Sequence, residues 1–328
     1  MKALLIGLCL LPLAACTEAN QALFYDSYGS SQHFVIKGRL IEAETLSKSN
    51  EHDSKLRNLW RSFRTFKNEE QDGVTLTIKA GTFQTTATTD DEGYFHVEAS
   101  PEQALDHGWQ RITVRGGDAQ GTGHLLIVPR ANTLGVISDI DDTVLMSDVL
   151  NKKNLLRNTF LKNIQQRQGF PGTAAFYASL LSLNADPWAA PMFYLSASPR
   201  QLAGNIEAFL IQHHFPRGVL VTKQISGQGH DPWLDQQRYK TAQIETIFSA
   251  LPWVKFTLVG DDGERDPEIY QAIQQAHPQQ VHAIYIRNVN PDPNRPSYPG
   301  QLKLDDAVIA PSAHSIQEES TAAGALSP

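Results

Sequence analysis

Asp139, Asp141 and Asp142 stand within four residues, in the run Val136-Ile137-Ser138-Asp139-Ile140-Asp141-Asp142-Thr143. Carboxylates this close repel one another, and burying them without a cation costs several kcal/mol. A hard divalent cation such as Mg²⁺ relieves the repulsion through oxygen ligands. Taken alone, the run is either a metal site or an acidic surface turn. A second acidic cluster, Asp261-Asp262-Gly263-Glu264-Arg265-Asp266, follows the apolar run Phe256-Thr257-Leu258-Val259-Gly260. Two parallel strands that both end in aspartates would bring them to one edge of one sheet. An acidic helix start accounts for Asp266-Pro267-Glu268, but not for Asp261.

Between the two clusters, Met192-Phe193-Tyr194-Leu195 runs into Ser196-Ala197-Ser198-Pro199-Arg200. Hydroxyls and backbone N–H groups where a strand meets a helix suit a phosphate oxygen. Ser198 followed by Pro199 also reads as a helix N-cap and first helical residue, which leaves Ser196 as the phosphate contact. Lys240 opens a later helical stretch and can neutralise a phosphate; solvation is the more ordinary fate of a lysine.

These residues need a scaffold. Beyond about residue 133, apolar runs alternate with helix-length amphipathic stretches, the order of a parallel sheet with covering helices. The pattern predicts strands at 134–138, 192–196, 218–222, 256–260 and 281–286. It predicts helices at 150–166, 173–183, 199–213, 239–250 and 266–276. Ligands in such sheets bind beyond the carboxyl ends of the strands. Ahead of this region, short alternating segments at 34–41, 74–79, 82–89, 94–98, 110–115 and 124–128 predict a small antiparallel β-sandwich. Residues 54–66 read as a helix or a long loop. The motif Thr89-Asp90-Asp91-Glu92-Gly93-Tyr94-Phe95 resembles the strand-turn-strand of transthyretin-like and immunoglobulin-like accessory domains.

The chain has 328 residues, enough for two ordinary domains, and 41% hydrophobic residues, enough for real cores. A net charge of −7 argues against nonspecific nucleic-acid binding. At the N-terminus, a short apolar run ends in Leu13-Ala14-Ala15-Cys16. It resembles the lipobox of bacterial lipoproteins, in which the cysteine carries lipid; an ordinary signal peptide with an incidental cysteine is the alternative. Thr17 after the cysteine resembles the Gram-negative pattern for the outer membrane. The only other cysteine, Cys9, would be removed with the leader, leaving no thiol pair for a disulfide or a cysteine metal site. The expected organisation is a leader over 1–15, a linker over 16–31, the sandwich over 32–130, the α/β domain over 133–300 and a loose tail over 301–328.

The order Asp-x-Asp-x-Thr, strand ending in Ser, helical Lys, then Gly-Asp-Asp-x-x-x-Asp resembles the four-part pattern of haloacid-dehalogenase-type hydrolases. A closer resemblance, over about residues 134–289, is to the family of the actin-patch-associated phosphatidate phosphatase. It is carried by the runs at Ser138 to Thr143, Leu156 to Phe160, Pro171-Gly172, Tyr194 to Pro199 and Gly260 to Tyr270. Arg200 departs from the Trp that relatives often carry, and suits additional charge where an aromatic would suit a lipid. The resemblance implies a Rossmann-like sheet and a Mg²⁺-dependent phosphatase with an aspartyl-phosphate intermediate. It implies Asp139 as nucleophile, Asp141 as general acid and base, and Thr143 as a support of the turn. Ser196 and Lys240 would hold the phosphoryl group, and Asp139, Asp141 (by its carbonyl) and Asp261 would hold the metal. Asp262 and Asp266 are candidates for orienting water on that metal; Ser198 and Arg200 are candidates for contacting substrate. The implied substrate is phosphatidate or a related lipid phosphate, met at a membrane to which Cys16 anchors the chain. Small soluble phosphate esters in the periplasm are the alternative substrates, and an inert surface-anchored binding protein the alternative class. No protein partner is legible.

Overall fold

The structure, a computed structural model, describes residues 20–41, 72–146, 168–200, 203–224, 236–290 and 293–308. Cys16, the 54–66 segment and the helix expected over 150–166 lie outside these residues.

Seven strands come first: β1 (Gln21–Gly29), β2 (Phe34–Ile41), β3 (Thr75–Ala80), β4 (Phe83–Thr88), β5 (Tyr94–Ala99), β6 (Gly108–Gly116) and β7 (Ala119–Ile127). Alternation explains most of them. In β3, Leu76, Ile78 and Ala80 are buried and the residues between them are not, the period-two signature of a half-buried strand. The strands form one hydrogen-bonded sheet in the order β4-β3-β6-β7-β1-β2-β5, rather than two separately bonded sheets. It folds over on itself: Phe83 of β4 packs edge-on against Phe34 of β2, with ring centroids 5.2 Å apart. Every pairing is antiparallel except β1 with β7.

β1 corrects the expected linker over 16–31. A register irregularity between Tyr25 and Tyr28 breaks the alternation that would have revealed it. Its far end also faces the second domain: Tyr28 meets Phe193 edge-on at 4.9 Å.

The second domain runs β8 (Leu134–Asp139), α1 (Thr173–Leu181), β9 (Met192–Pro199), α2 (Ala203–Gln212), β10 (Val219–Lys223), α3 (Gln236–Ala250), β11 (Lys255–Asp261), α4 (Asp266–Ala276), β12 (Val281–Arg287) and β13 (Gln301–Lys303). All strand pairs are parallel, in the order β10-β9-β8-β11-β12-β13. β13 corrects the expected start of the tail at 301; three residues on a sheet edge are too few to show a period. β9 continues to Pro199 and α2 is described from Ala203, so Ser198 lies in the strand rather than capping the helix.

Both faces of this sheet are covered. Ile206, Phe209, Phe176 and Tyr177 of α2 and α1 pack with Val136, Met192 and Tyr194 on one face. Ile244, Phe248, Ile269 and Tyr270 of α3 and α4 pack with Ile137, Phe193 and Leu258 on the other, and Tyr28, Leu126 and Val128 of the first domain join that core. Such two-sided burial is why the strands read as apolar runs. No helix among the described residues is long and apolar enough to cross a membrane.

Since Tyr28 is buried in the core of the α/β domain, its loss should be felt there. Tyr28→Ala is expected to cost about 3 kcal/mol, as for other large-to-small core changes. The cost should appear in denaturant unfolding of the whole chain followed through the parallel sheet; an unchanged midpoint would mean that the two domains are energetically independent.

Candidate active site

The chain order around β8 and β11 reverses direction, which leaves a crevice at their carboxyl ends. Ser138 pairs with Val259 across these strands, carrying Asp139 to the level of Gly260 with Asp261 one residue beyond. Gly260 is needed where it stands: a Cβ there would lie 2.4 Å from Asp266 Oδ2. After Asp139 the chain turns sharply. Val144 and Leu145 donate to the Ile140 carbonyl at 2.9 and 3.0 Å, and Asp142 takes a left-handed φ of 58°, which aspartate tolerates better than most residues.

Lys240, on α3, is fully buried. Its Nζ lies 2.7 Å from Asp139 Oδ1, 2.6 Å from Asp266 Oδ1 and 3.4 Å from Glu264 Oε2. Burial alone would lower the ammonium's pKa, but Asp139, Asp266 and Glu264 outweigh it and hold the pKa well above the usual lysine value. The carboxyls respond in turn. Burial pushes Asp139 well above the usual carboxylate range; Lys240 opposes this, and Asp266, Asp261 and Glu264 add to it. Burial and Asp266 push Asp261 up to about 8. Asp266 is also raised, first by burial.

Oxygens of Asp139, Asp261 and Asp266 all lie within 4.8 Å of one another. Asp139 Oδ2 is buried and has no hydrogen-bond partner among the described residues. An all-oxygen donor set with repelling, proton-retaining carboxyls fits a hard divalent cation. Asp266 thus belongs to the carboxylate cluster itself, where the sequence suggested a more peripheral place.

The remaining candidates divide. Thr143 is buried, and its hydroxyl lies 3.4 Å from Asp261 Oδ2. Asp141 turns its carboxylate to the serines: Ser196 Oγ is 3.5 Å and Ser198 Oγ 3.4 Å from its Oδ2. Ser196 Oγ also accepts from the Ser198 backbone N–H at 3.0 Å. Asp262 Oδ1 accepts from the backbone of Val289 and Asn290 at 2.7 and 2.8 Å, which fixes the loop after β12. Arg200 lies at the seam between the domains. Its guanidinium stands over the rings of Tyr25 and Tyr94 and donates to the Thr222 carbonyl at 3.1 Å.

Sequence reasoning missed three supports. Glu264 was part of the recognised motif but had no role; Gln236 and Lys240 both donate to its carboxylate. Arg295 donates to the carbonyls of Asp262 and Glu264 and pairs with Glu268 at 3.1 Å. Arg287 donates to the Thr143 carbonyl at 3.1 Å and to Thr173 Oγ1 at 2.7 Å, which ties the turn after β8 to α1. The first had a visible motif; the two arginines act on backbone and have no spacing signature.

Residues 134–288 match the family described as phosphatidate phosphatase APP1, catalytic domain. Phosphatidate phosphatase APP1 of Saccharomyces cerevisiae is 34% identical over 156 residues, which is 47% of this chain and 26% of the yeast protein. An uncharacterized protein of Schizosaccharomyces pombe is 26% identical over 162 residues, covering 49% of this chain and 26% of its own length. The chain therefore spans about a quarter of the length of these curated relatives. Among solved structures, a carbohydrate acetylesterase from Xanthomonas citri covers 81% of this chain and 60% of its own at 9% identity, with a TM-score of 0.30. That score is too low to carry an argument. Over residues 134–288 the chain is thus similar to a phosphatidate phosphatase catalytic domain.

The raised carboxyls make a prediction about metal and pH. Between about pH 4, where an unfolded aspartate ionises, and the value of about 8 for Asp261, the folded metal-free protein keeps a proton that the unfolded chain has lost. Its stability from this group therefore falls as pH rises through that window. A divalent cation replaces the proton, so its binding strengthens over the same window. The rise in Tm on replacing EDTA with Mg²⁺ should be larger at about pH 8 than at about pH 6. Equal rises at both pH values would remove the carboxylate cluster as the metal site.

Proposed function

We propose that the domain over residues 133–300 is a haloacid-dehalogenase-type phosphatase that hydrolyses a phosphate monoester through an aspartyl-phosphate on Asp139. The observation that carries this reading is the buried Asp139 carboxylate, with one oxygen held 2.7 Å from Lys240 and the other unpartnered. A carboxylate gripped at one oxygen presents the other for attack. Asp139 Oδ2 would form the bond to phosphorus as the ester oxygen leaves.

The leaving oxygen takes a proton from Asp141, which lies within reach of both Ser196 and Ser198. Asp141 then accepts a proton from the water that hydrolyses the aspartyl-phosphate, returning both carboxyls to their starting states and releasing phosphate. Splitting the displacement into two steps is the gain from covalent catalysis. The Lys240 ammonium offsets the charge of Asp139 as an anionic substrate approaches, and Ser196 donates toward the phosphoryl group. Asp139, Asp261 and Asp266 are the side chains that would hold Mg²⁺, with the Asp141 carbonyl as a further oxygen. Mg²⁺, when bound, supplies positive charge that stabilises the transferring phosphoryl group.

Phosphatidate or a related lipid phosphate is the substrate class, because the yeast relative that the catalytic region resembles is named as a phosphatidate phosphatase. A lipid anchor on Cys16, facing the periplasm from the outer membrane, would bring the domain to such substrates.

Asp139→Asn should reduce phosphate release to background while the unfolding midpoint stays within about 1 kcal/mol of the parent value. Retained turnover would remove Asp139 as nucleophile. Mixed-micelle phosphatidate should be turned over faster than a soluble monoester by the parent protein; the reverse order would overturn the lipid assignment but leave the chemistry.

A further inference from the structure

A cavity of about 410 Å³ lies between the two domains, within the size range of small-ligand sites. Its walls come from both. The first domain contributes Lys37 of β2 and Tyr94 of β5; the second contributes Arg200, Thr222, Lys223 and Tyr239. Sheet register places it beside the reaction site. Thr222 of β10 pairs with Ser196 of β9, and adjacent strands stand about 4.8 Å apart. Tyr239 immediately precedes Lys240 on α3.

The charge of the lining is one-sided. Lys37, Arg200 and Lys223 are cationic; among the described residues of the lining, Asp90 is the one acid. Asp90 Oδ1 accepts from the backbone N–H groups of Glu92 and Tyr94 at 3.0 and 2.8 Å, so part of its charge is engaged in the turn. His96, held below the ordinary histidine range first by burial and then by Lys37, adds no positive charge near neutral pH. Lys37 has no ion pair among the described residues. Arg200 is fixed by the Tyr25 and Tyr94 rings and the Thr222 carbonyl, which places a guanidinium in the wall with little freedom left to lose on binding. Thr222 is buried and its hydroxyl has no hydrogen-bond partner among the described residues.

We propose that this cavity is a subsite for a second anionic group, a phosphate or carboxylate, carried by the body of the ester whose phosphoryl group reacts at Asp139. This rests on the proposed phosphatase reading. It gives the N-terminal domain a part in substrate selection through Lys37. It also gives Arg200 a role, as a fixed charge in the cavity wall.

The test uses the full chain and matched substrate pairs. In the soluble arm, alkanediol bisphosphates of increasing chain length are compared with the corresponding monophosphates. In the lipid arm, phosphatidylglycerol phosphate is compared with phosphatidate in mixed micelles. At the chain length that spans the two sites, the second phosphate should raise kcat/KM by roughly tenfold, mainly through KM, as expected for a charge-assisted contact. Lys37→Gln should remove most of that preference, and Lys223→Gln should reduce it independently. A preference confined to one arm identifies whether the second anion sits on a lipid headgroup or on a soluble body. A ratio near one in both arms, or a preference that both variants leave unchanged, overturns the subsite. Should no ester be turned over at all, the phosphatase reading fails separately, and calorimetric titration with the alkanediol bisphosphates then decides the subsite. Binding weakened about tenfold by Lys37→Gln supports it; equal binding sinks it.

Discussion

Lys240 is buried with its ammonium 2.7 Å from Asp139 and 2.6 Å from Asp266, and this charge cluster constrains everything around it. One ammonium faces Asp139, Asp266, Glu264 and, nearby, Asp261. A buried ammonium without acids would lose its proton, and buried acids without the ammonium would retain theirs. The ammonium keeps its charge because the acids surround it, and burial raises the acids in spite of it. The folded chain must therefore deliver β8, β11, α3 and the start of α4 to one place. Gly260 gives α4 room by leaving space for Asp266. Asp266 in turn sits in the first turn of α4, where the helix dipole favours a negative charge. The arginines that hold this arrangement from outside, Arg287 and Arg295, reach backbone carbonyls rather than the carboxylates of the cluster. They stabilise the loops without neutralising the acids. The acids stay in excess, which is what a cation site requires.

The same cluster explains why the first domain cannot be regarded as a detached accessory. The face of the parallel sheet that carries α3 is completed by Tyr28, Leu126 and Val128 of the first domain. Moving that domain would expose the apolar surface next to the helix that positions Lys240. It would also open the cavity where β9 and β10 end. The ring contacts of Arg200 with Tyr25 and Tyr94 cross this seam, as does the hydrogen bond from Gln224 to Glu92. The N-terminal sheet thus bears on the site through packing as well as through the residues it places in the cavity wall.

How much of this could be read from sequence follows from where each residue's signal lies. Asp139, Asp261 and Ser196 stand where apolar strands meet polar residues, and a parallel sheet brings such ends together by construction. The strands of that sheet were legible because burial on both faces makes continuous apolar runs. β1 was not legible, since its irregularity near Tyr25 breaks the period and Tyr28 serves another domain's core. β13 was too short. Asp262 shares its motif with Asp261 yet turns to the backbone of Val289 and Asn290, and adjacency in sequence cannot distinguish two neighbouring carboxylates that point to different partners.

Arg200 shows where local reading stops. Beside Ser196 and Ser198 it reads as a charge for the reaction pocket, because residues near in sequence are assumed to share a site. In the folded chain, the strand carries the serines toward Asp141 and the arginine toward the first domain. The backbone between Ser196 and Arg200 is therefore a boundary between two environments, one built around Asp141 and one built by two domains together. A change at Arg200 therefore acts on the seam and leaves the Asp139, Asp261 and Asp266 carboxylates in place. The Lys240 cluster, whose acids stay in excess, lies on the other side of that boundary.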